Sequence, residues 1–525
     1  MTNLTGRTAA CLAASVLVLS LAGGSLGAPV AARAPECKPS VAGVDLQKAT
    51  IPQLQAAMST GKLSSKKLVK AYLARIGAYD YKLNSIRALN PRALRIAAKR
   101  DAERKAGKVR GLMHGIPVLL KDNVNTTNMP TTAGSQALRG SVPKHDATIT
   151  KKLEKAGAII LGKVNLSEFA GWVDLSMPPG YSSLAGQVVN PYNFGDPSGS
   201  SAGSGVAGTM AFAAATVGTE TSGSILSPSN ANSLVGIKPT TGLVSRYGIL
   251  PLAPSFDTAG PMVRNVTDAA AMLTVLAGVD PKDARTAESE GKAIDYMQVL
   301  DTEALKDARI GYSPNDRDGL SAEHQKLFDH SLSVLEKQGA TLVETDNLNN
   351  SSGSGLAEIA AIPNEFKWSL NKYLAEETSE DLRVRTLSDI VAYNDEHPEK
   401  MKYGQGLLEA SDATAGSDDP ASQAQAQASI EAARASIDGT LTADDLDALV
   451  APGPAYANVS ASAGYPTVIV PQGYTAGGRN PFGLSILSTA YTEPLLIGYA
   501  YDYEQATNFR RSPTAQNKML KPKGC

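Results

Sequence analysis

Residues that bind metals are scarce in this chain. Its 525 residues include three cysteines and five histidines. The histidines are scattered and the cysteines do not cluster, so neither an HExxH motif nor a zinc-binding cysteine set is present. Basic and acidic residues are balanced, 50 against 51, which gives no electrostatic reason to expect nucleic acid or an anionic membrane as a partner. The sequence therefore predicts no metal, no cofactor and no nucleic acid, and favours a small-molecule or peptide substrate.

Long hydrophobic runs are missing too, apart from one near the N-terminus. Arg7 is followed by an apolar run over residues 9–21 and by small residues within 27–34. This arrangement is typical of a secretory signal peptide, and the run is well short of the roughly 20 residues that span a bilayer. We therefore expect a signal peptide within residues 1–34, secretion of the cleaved chain and no stable membrane association. The cleavage position and the oligomeric state stay open.

Two cysteines remain once the signal peptide is removed. Cys11 leaves with it, whereas Cys37 and Cys525 lie in the two terminal segments of the cleaved chain. The ends of compact domains are often close together, and thiols outside the cytoplasm oxidise. The sequence predicts a Cys37–Cys525 disulfide, with two free thiols or a bond between two molecules as the open alternatives.

Helical and strand-like patterns alternate along the rest of the chain. Residues 50–58, 64–79 and 91–105 have helical patterns, and short buried runs come after them, among them GIPVLLKDN, AIILGKVN, ARIGYS, TLVETD, ALVAPG, TVIVPQG and FGLSIL. Strands separated by helices indicate an α/β protein whose parallel or mixed β-sheet is sandwiched between helices. No linker or internal repeat is visible, so residues 35–525 are expected to form one large domain.

Two loops crowded with glycine and serine, DPSGSSAGSGVAG and VGTETSGSILSPSN, are candidates for a reactive site. Glycine lets backbone N–H groups approach a reacting atom, as an oxyanion site requires. Gly203, Gly205 and Gly208 also fit the GxGxxG pattern of dinucleotide-binding proteins. That motif needs a strand before it, and a loop rich in Pro and Gly stands there instead. Close helix packing is therefore the better explanation of these glycines.

The first loop also contains GxSxG, the nucleophile elbow of α/β-hydrolases, centred on Ser201. This motif would make the protein an esterase-like hydrolase, but it too needs a strand directly before it. Pro191 and Pro197 interrupt the segment where that strand would lie. The elbow remains the main rival interpretation from these residues alone.

Lys121 stands at the end of the apolar run GIPVLL. A lysine drawn into a dry interior loses the solvation of its ammonium form, so its pKa falls and it can serve as a base. The alternative is a lysine at a strand end whose ammonium group reaches back to solvent.

Seven runs together resemble the amidase signature family, in the order and spacing of that family: GIPVLLKDN, TTAGS, LGKVNLSEFA, SGSSAGSG, VGTETSGSI, GIKPTTGLVSRYG and DTAGPMVR. The match is close over residues 112–280 and looks most similar to bacterial peptide amidases. It implies the amidase signature fold, a single catalytic domain, and a more variable region at 281–440 that shapes the substrate pocket.

The resemblance implies a catalytic triad. Lys121 would be the base, Ser200 the bridging serine in a cis peptide after Gly199, and Ser224 the nucleophile that forms an acyl-enzyme. The oxyanion would face backbone N–H groups of four consecutive residues, Thr221, Ser222, Gly223 and Ser224. Asp257 is expected only to brace the surrounding loops.

Two positions depart from the family pattern. The family often has glycine at the position of Ser222, and often has arginine at the position of Leu226, where glutaminase-type members use it to hold the substrate carboxylate. Leu226 therefore disfavours a glutaminase-type amidotransferase subunit. The sequence predicts an amidase acting on a peptide amide or another small linear carboxamide. A non-catalytic binding protein on the same scaffold is the remaining alternative, although all three triad residues are present.

Overall fold

Eleven strands form one continuous sheet in the computed structural model, which describes residues 39–345, 352–416 and 419–523. Numbered along the chain, they are β1 Ile86–Leu89, β2 Pro117–Lys121, β3 Ile159–Val164, β4 Ala215–Glu220, β5 Val235–Lys238, β6 Thr258–Val263, β7 Arg309–Tyr312, β8 Thr341–Glu344, β9 Ala448–Pro452, β10 Thr467–Thr475 and β11 Asn480–Leu487. Their spatial order is β8-β7-β9-β11-β10-β5-β6-β4-β2-β3-β1. The predicted signal peptide and the pair Cys37 and Cys525 lie outside the described residues.

The sheet is mixed, as predicted. Strand β2 runs parallel to both of its neighbours, β3 and β4, and β7 runs parallel to β8 and β9. The remaining neighbours pair antiparallel. Every residue of β2, β3 and β4 is buried, which is why parallel strands such as β2 and β3 read as nearly continuous apolar runs.

Helices flank the sheet. In chain order they are α1 Ile51–Ser59, α2 Ser65–Leu83, α3 Ala93–Lys105, α4 Thr148–Lys155, α5 Ala202–Thr209, α6 Leu226–Ala231, α7 Val266–Leu276, α8 Pro314–Asp318, α9 Ala322–Lys337, α10 Ser352–Glu377, α11 Leu387–Glu396, α12 Gly406–Asp412, α13 Pro420–Ala443, α14 Ala457–Ala463, α15 Glu493–Thr507 and α16 Pro513–Gln516. None of the helices within the described ranges is both long and apolar enough to cross a membrane.

The first helices begin where capping residues predict them. Thr50 and Gln53 form a reciprocal capping box at α1, with 3.3 Å from Gln53 N to Thr50 Oγ1 and 3.0 Å from Thr50 N to Gln53 Oε1. Ser64 caps α2 through the Lys67 amide. Such caps satisfy amide groups that have no partner within the helix.

Two apolar clusters hold these layers together. The larger one packs the central strands against α1, α2, α7 and α15. A smaller one joins α10, α11 and α13 to the loop that contains Leu250 and Phe256. Because α10 packs on that loop, the region predicted to be variable forms a wall beside the motif-rich part of the chain.

The glycines of the GxGxxG pattern lie on α5 and serve close packing. A Cβ on Gly203 would come 2.2 Å from the Asn165 carbonyl oxygen, and one on Gly205 would come 2.8 Å from Asn232 Nδ2. The residues before α5 form turns rather than a strand. A dinucleotide-binding motif is therefore excluded here, as the sequence indicated.

Candidate active site

The candidate site lies where two parallel strands end side by side. Lys121 is the last residue of β2 and Glu220 is the last residue of β4. Ser224 comes next in the turn between β4 and α6, and Ser200 lies just before α5. Carboxyl ends of adjacent parallel strands share one edge of a sheet, and that edge is where α/β proteins commonly place their sites.

A continuous chain of hydrogen bonds connects the three predicted triad side chains. Lys121 Nζ donates to Ser200 Oγ at 2.8 Å, and Ser200 Oγ donates to Ser224 Oγ at 2.9 Å. The backbone N–H of Ser200 also donates to Ser224 Oγ, at 3.1 Å. The peptide bond between Gly199 and Ser200 is cis. The fold thus brings together the residues that the motifs singled out, in the expected order.

Lys121 is fully buried and bonded only to neutral groups. Besides Ser200, its ammonium group donates to the Thr219 carbonyl at 3.2 Å. Burial lowers the pKa of Lys121 to about 7, against the smaller opposing effects of Asp257 and Glu220. At neutral pH a large fraction of the side chain is therefore uncharged and able to accept a proton. A lysine reaching back to solvent is excluded by its complete burial.

A buried carboxylate that the sequence motifs did not single out fixes the turn containing Ser224. Glu220 Oε2 accepts hydrogen bonds from Ile225 N at 2.6 Å and from Leu226 N at 3.0 Å. Burial raises the pKa of Glu220, and the amide groups of this turn, Gly223 included, oppose that rise. The position of Glu220 at the end of β4, directly before TSGS, was the available signal.

The predicted oxyanion amides, residues 221–224, form this same turn. Gly223 adopts a φ of 79°, a conformation that glycine takes without strain. The Thr221 hydroxyl donates to Asp257 at 2.5 Å, and Asp257 also accepts from the amides of Leu252 and Ala253, at 2.9 and 3.1 Å. Asp257 therefore ties the turn to the 252–253 loop, as expected of a bracing residue.

Ser201, the nucleophile of the rival elbow interpretation, is a structural residue. It is fully buried, its Oγ donates to the Thr219 carbonyl at 2.9 Å, and it accepts from Thr219 N at 3.2 Å. Its hydroxyl is thus engaged with the backbone of β4, and no strand precedes it. The elbow interpretation is wrong.

A cavity of about 310 Å³ lies beside the hydrogen-bond chain. Its lining includes Thr219, Thr221, Asp257 and the segment Tyr247–Leu252. One face of α10 lines it as well, with Trp368, Ser369, Lys372, Tyr373, Glu376 and Glu377. Leu226 does not line this cavity: it is buried against Ala457 and Ile469. That position therefore contributes no cation to the cavity, whose lining nevertheless includes Arg246, Lys282 and Lys372.

Comparison with known proteins agrees with this geometry. A protein-family model described as Amidase matches residues 67–470. Over 481 residues the chain is 39% identical to a probable amidase of Arabidopsis thaliana, covering 89% of this chain and 92% of the relative.

Two solved structures are similar as well. The native peptide amidase of Stenotrophomonas maltophilia matches at a TM-score of 0.85 with 42% identity, over 89% of this chain and 98% of that one. A peptide amidase in complex with the competitive inhibitor chymostatin matches at 0.85 with 41% identity, over 89% and 99%. The resemblance inferred from the seven motifs is confirmed, and the protein belongs to the amidase signature family of enzymes.

Proposed function

We propose that this amidase hydrolyses a peptide amide or another small linear carboxamide, releasing ammonia or an amine, with Ser224 as the nucleophile. The observation that supports this most directly is the unbroken hydrogen-bond chain from buried Lys121 through Ser200 to Ser224. No other group is needed to connect the base with the nucleophile.

The first half of the reaction forms the acyl-enzyme. Neutral Lys121 accepts the Ser200 proton while Ser200 accepts the Ser224 proton, and Ser224 Oγ bonds to the carbonyl carbon. Distances of 2.8 and 2.9 Å allow these hydrogen bonds to run in either direction. The carbonyl oxygen becomes an oxyanion, for which the backbone N–H groups of residues 221–224 are the proposed donors. The Gly223 amide, which also interacts with Glu220, would have to turn from that carboxylate to the oxyanion.

The second half reverses the relay. The ammonium of Lys121 returns a proton through Ser200 to the leaving nitrogen, and the C–N bond breaks. Water then gives up a proton along the same path and attacks the acyl carbon, releasing the acid and restoring Ser224. Lys121 thus alternates between its two protonation states, which a pKa near 7 permits at little cost.

Peptide-like acyl groups are the substrates we favour. A similar peptide amidase binds the competitive inhibitor chymostatin, and the cavity of this chain combines an apolar centre at Leu250 and Leu252 with aromatic side chains on α10. Glutamine is disfavoured only at the position where glutaminase-type relatives carry arginine, because buried Leu226 offers no charge to its carboxylate.

Ammonia release from a panel of amides tests the activity. The panel holds C-terminally amidated peptides, aliphatic, aromatic and fatty carboxamides, glutamine and matched esters. We expect turnover of amidated peptides or small carboxamides, and none by a Ser224→Ala variant. A folded protein inactive on the whole panel would instead support a non-catalytic binding role.

Covalent labelling tests the nucleophile without knowledge of the substrate. A fluorophosphonate probe should modify Ser224, identified by mass spectrometry of the labelled peptide, and Ser201→Ala should still be labelled. Modification of Ser201 in the unaltered protein would disprove the assignment.

We further propose that the protein is secreted after removal of a signal peptide and that Cys37 and Cys525 then form a disulfide. The basis is the sequence of residues 1–34 and the even number of cysteines left. N-terminal sequencing of protein from the culture medium tests secretion. Thiol titration of the unfolded, unreduced protein tests the bond: two free thiols would exclude it, and a covalent dimer would place it between chains.

A further inference from the structure

Glu168 lies directly behind the bridging serine. The residue before it, Ser167, donates its backbone N–H to the Ser200 carbonyl at 3.0 Å. Ser167 also packs so closely that a Cβ on Gly199 would come 2.5 Å from its hydroxyl oxygen. The turn that contains Glu168 therefore forms one side of the Ser200 backbone site.

Three segments of the chain meet at the Glu168 side chain. Its Oε2 accepts from Ser183 N at 2.7 Å, and the following amide, of Phe169, donates to the Ala133 carbonyl at 2.9 Å. Phe169 and Ala170 both have positive φ angles, 45° and 59°, and Ala170 lines the cavity. Glu168 thus holds a turn that contacts Ser200 at one end and forms cavity wall at the other.

Among the residues that the structure describes, no cation balances a charge on the Glu168 carboxyl group. It is 1% exposed, and the groups that act on it are the neutral Ser183 and Ser135. Glu168 Oε1 and Ser135 Oγ are both buried and lack a well-formed hydrogen bond in the described part of the chain. A titratable neighbour on the packed segments is Tyr181, whose pKa is raised by burial and by Glu168.

We infer that Glu168 is a positioning residue for Ser200, and that it acts as a neutral carboxylic acid that donates to Ser135 while accepting from Ser183. A protonated carboxyl supplies one donor and one acceptor, which is what these two partners can use. An ionised carboxyl would be a buried charge without a counter-ion, a state that proteins avoid. Burial accordingly raises the pKa of Glu168 to about 7.

Ionisation of Glu168 should therefore disturb the position of Ser200 and with it the hydrogen-bond chain from Lys121 to Ser224. Above about pH 7 the carboxylate would draw water or shift its turn, and the Ser167 amide would no longer fix the Ser200 carbonyl. This inference rests on the proposed role of Ser200. It predicts a loss of activity on the alkaline side that is separate from the gain produced when Lys121 loses its proton.

Glu168→Gln is the informative variant, because a glutamine side chain also has a donor group (NH2) and an acceptor oxygen but cannot ionise in this range. The readouts are kcat against pH and the rate of fluorophosphonate labelling of Ser224 against pH. Below pH 6 the variant and the unaltered protein should have similar rates. Above about pH 7 the rate of the variant divided by that of the unaltered protein should increase, by up to about tenfold per pH unit.

Glu504→Gln is the matched control. Glu504 is also a carboxyl with a pKa raised by burial, to about 8, but it accepts from Val266 N at the start of α7 and makes no contact with the triad. The rate of the Glu504→Gln variant divided by that of the unaltered protein should not change with pH. Glu168→Ala, which removes both hydrogen bonds, should lower kcat at every pH, with circular dichroism confirming the fold.

The inference would be overturned if the rate of Glu168→Gln relative to the unaltered protein stayed constant with pH, or if the relative rate of the Glu504→Gln control changed with pH. Failure of the catalytic assignment itself would look different, because Ser224 would then not be labelled at any pH.

Discussion

Two fully buried lysines lie on neighbouring strands of this sheet, and the proposed mechanism gives them different roles. Lys121 ends β2, and Lys163 lies on the neighbouring parallel strand β3, where it pairs in register with Leu120. Residues in register point to the same face and neighbours along a strand alternate, so the two lysines lie on opposite faces of the sheet. The two buried lysine side chains at this edge of the sheet therefore have different surroundings.

The surroundings decide the chemistry. Lys163 has a carboxylate 3.3 Å away, from Asp122, and donates to Thr131 Oγ1 at 2.9 Å. Burial lowers the pKa of Lys163, but Asp122 opposes this. Lys121 bonds only to a hydroxyl and a carbonyl. A buried lysine beside a carboxylate is held as an ion pair, whereas one bonded to neutral groups can serve as the base that we propose.

The largest effect in this comparison is expected at Ser224, the last residue of the hydrogen-bond chain that begins at Lys121. Ser224→Ala should lower the rate of amide hydrolysis about 10⁵–10⁶-fold, because it removes the atom that forms the covalent bond. Ser227→Ala, three residues further along, removes a hydroxyl outside the hydrogen-bond chain and should leave the rate nearly unchanged. Ammonia release measures both. Residual turnover by Ser224→Ala within tenfold of normal would contradict the assignment.

Lys121→Met removes the base while keeping an apolar side chain of similar length. We expect kcat to fall about 10²–10⁴-fold, because neither serine is then deprotonated. The free energy of unfolding should change little, since the variant no longer buries an ammonium group. Steady-state kinetics and urea unfolding measure the two effects. A Lys121→Met variant that lost stability but kept its rate would mean that Lys121 has the structural role and is not the base.

The acid side of the pH profile tests the pKa of Lys121. Protonated Lys121 cannot accept a proton, so with a pKa of about 7 the rate should fall about tenfold per pH unit from pH 6 to pH 5. The rate of labelling at Ser224 should show the same dependence. A profile that stays flat over this range would show that the base titrates elsewhere.

The proposed catalytic residues could be predicted from sequence because their signals are local. Lys121, Ser200 and Ser224 each lie inside a short run of the amidase signature, and β2 and β3 are apolar runs whose ends are easily recognised. The structure places Lys121 at the end of β2 and brings Ser200 and Ser224 next to it, as the runs predict. The hydrogen-bond distances and the burial of Lys121 depend on the folded chain.

Other elements carry contrary local signals. Strand β6 contains Gly260 and Pro261, which disfavour a strand, yet a Cβ on Gly260 would come 2.0 Å from the Ile237 carbonyl oxygen, so the tertiary contact requires glycine. Helix α10 contains Pro363. Glu168 and Glu220 are ordinary acidic residues in sequence. The role of Glu168 depends on distant segments that fold onto it, which no local pattern encodes, whereas Glu220 bonds amides only five and six residues further along the chain.

The last prediction concerns the structural lysine. Lys163→Met leaves Asp122 buried beside Arg87, 3.8 Å away and partly exposed, as its remaining cation. Breaking a buried pair on one side costs about 3–5 kcal/mol, so the free energy of unfolding should fall by about that amount. The rate per folded molecule should change by less than about tenfold, because Lys163 is not in the relay.

Removing both partners separates the cost of an unpaired charge from loss of packing. In the Asp122→Asn, Lys163→Met double variant no buried charge is left alone, and the Thr132 hydroxyl that bonds Asp122 keeps a polar neighbour. Part of the lost stability should therefore return, since replacing both members of a buried pair is milder than replacing one. Urea unfolding of Lys163→Met, Asp122→Asn and the double variant, beside the unaltered protein, supplies the double-mutant cycle. If the single variant were as stable as the unaltered protein, or if its acid-side pH profile shifted with that of Lys121, the separation between a structural and a catalytic lysine would fail.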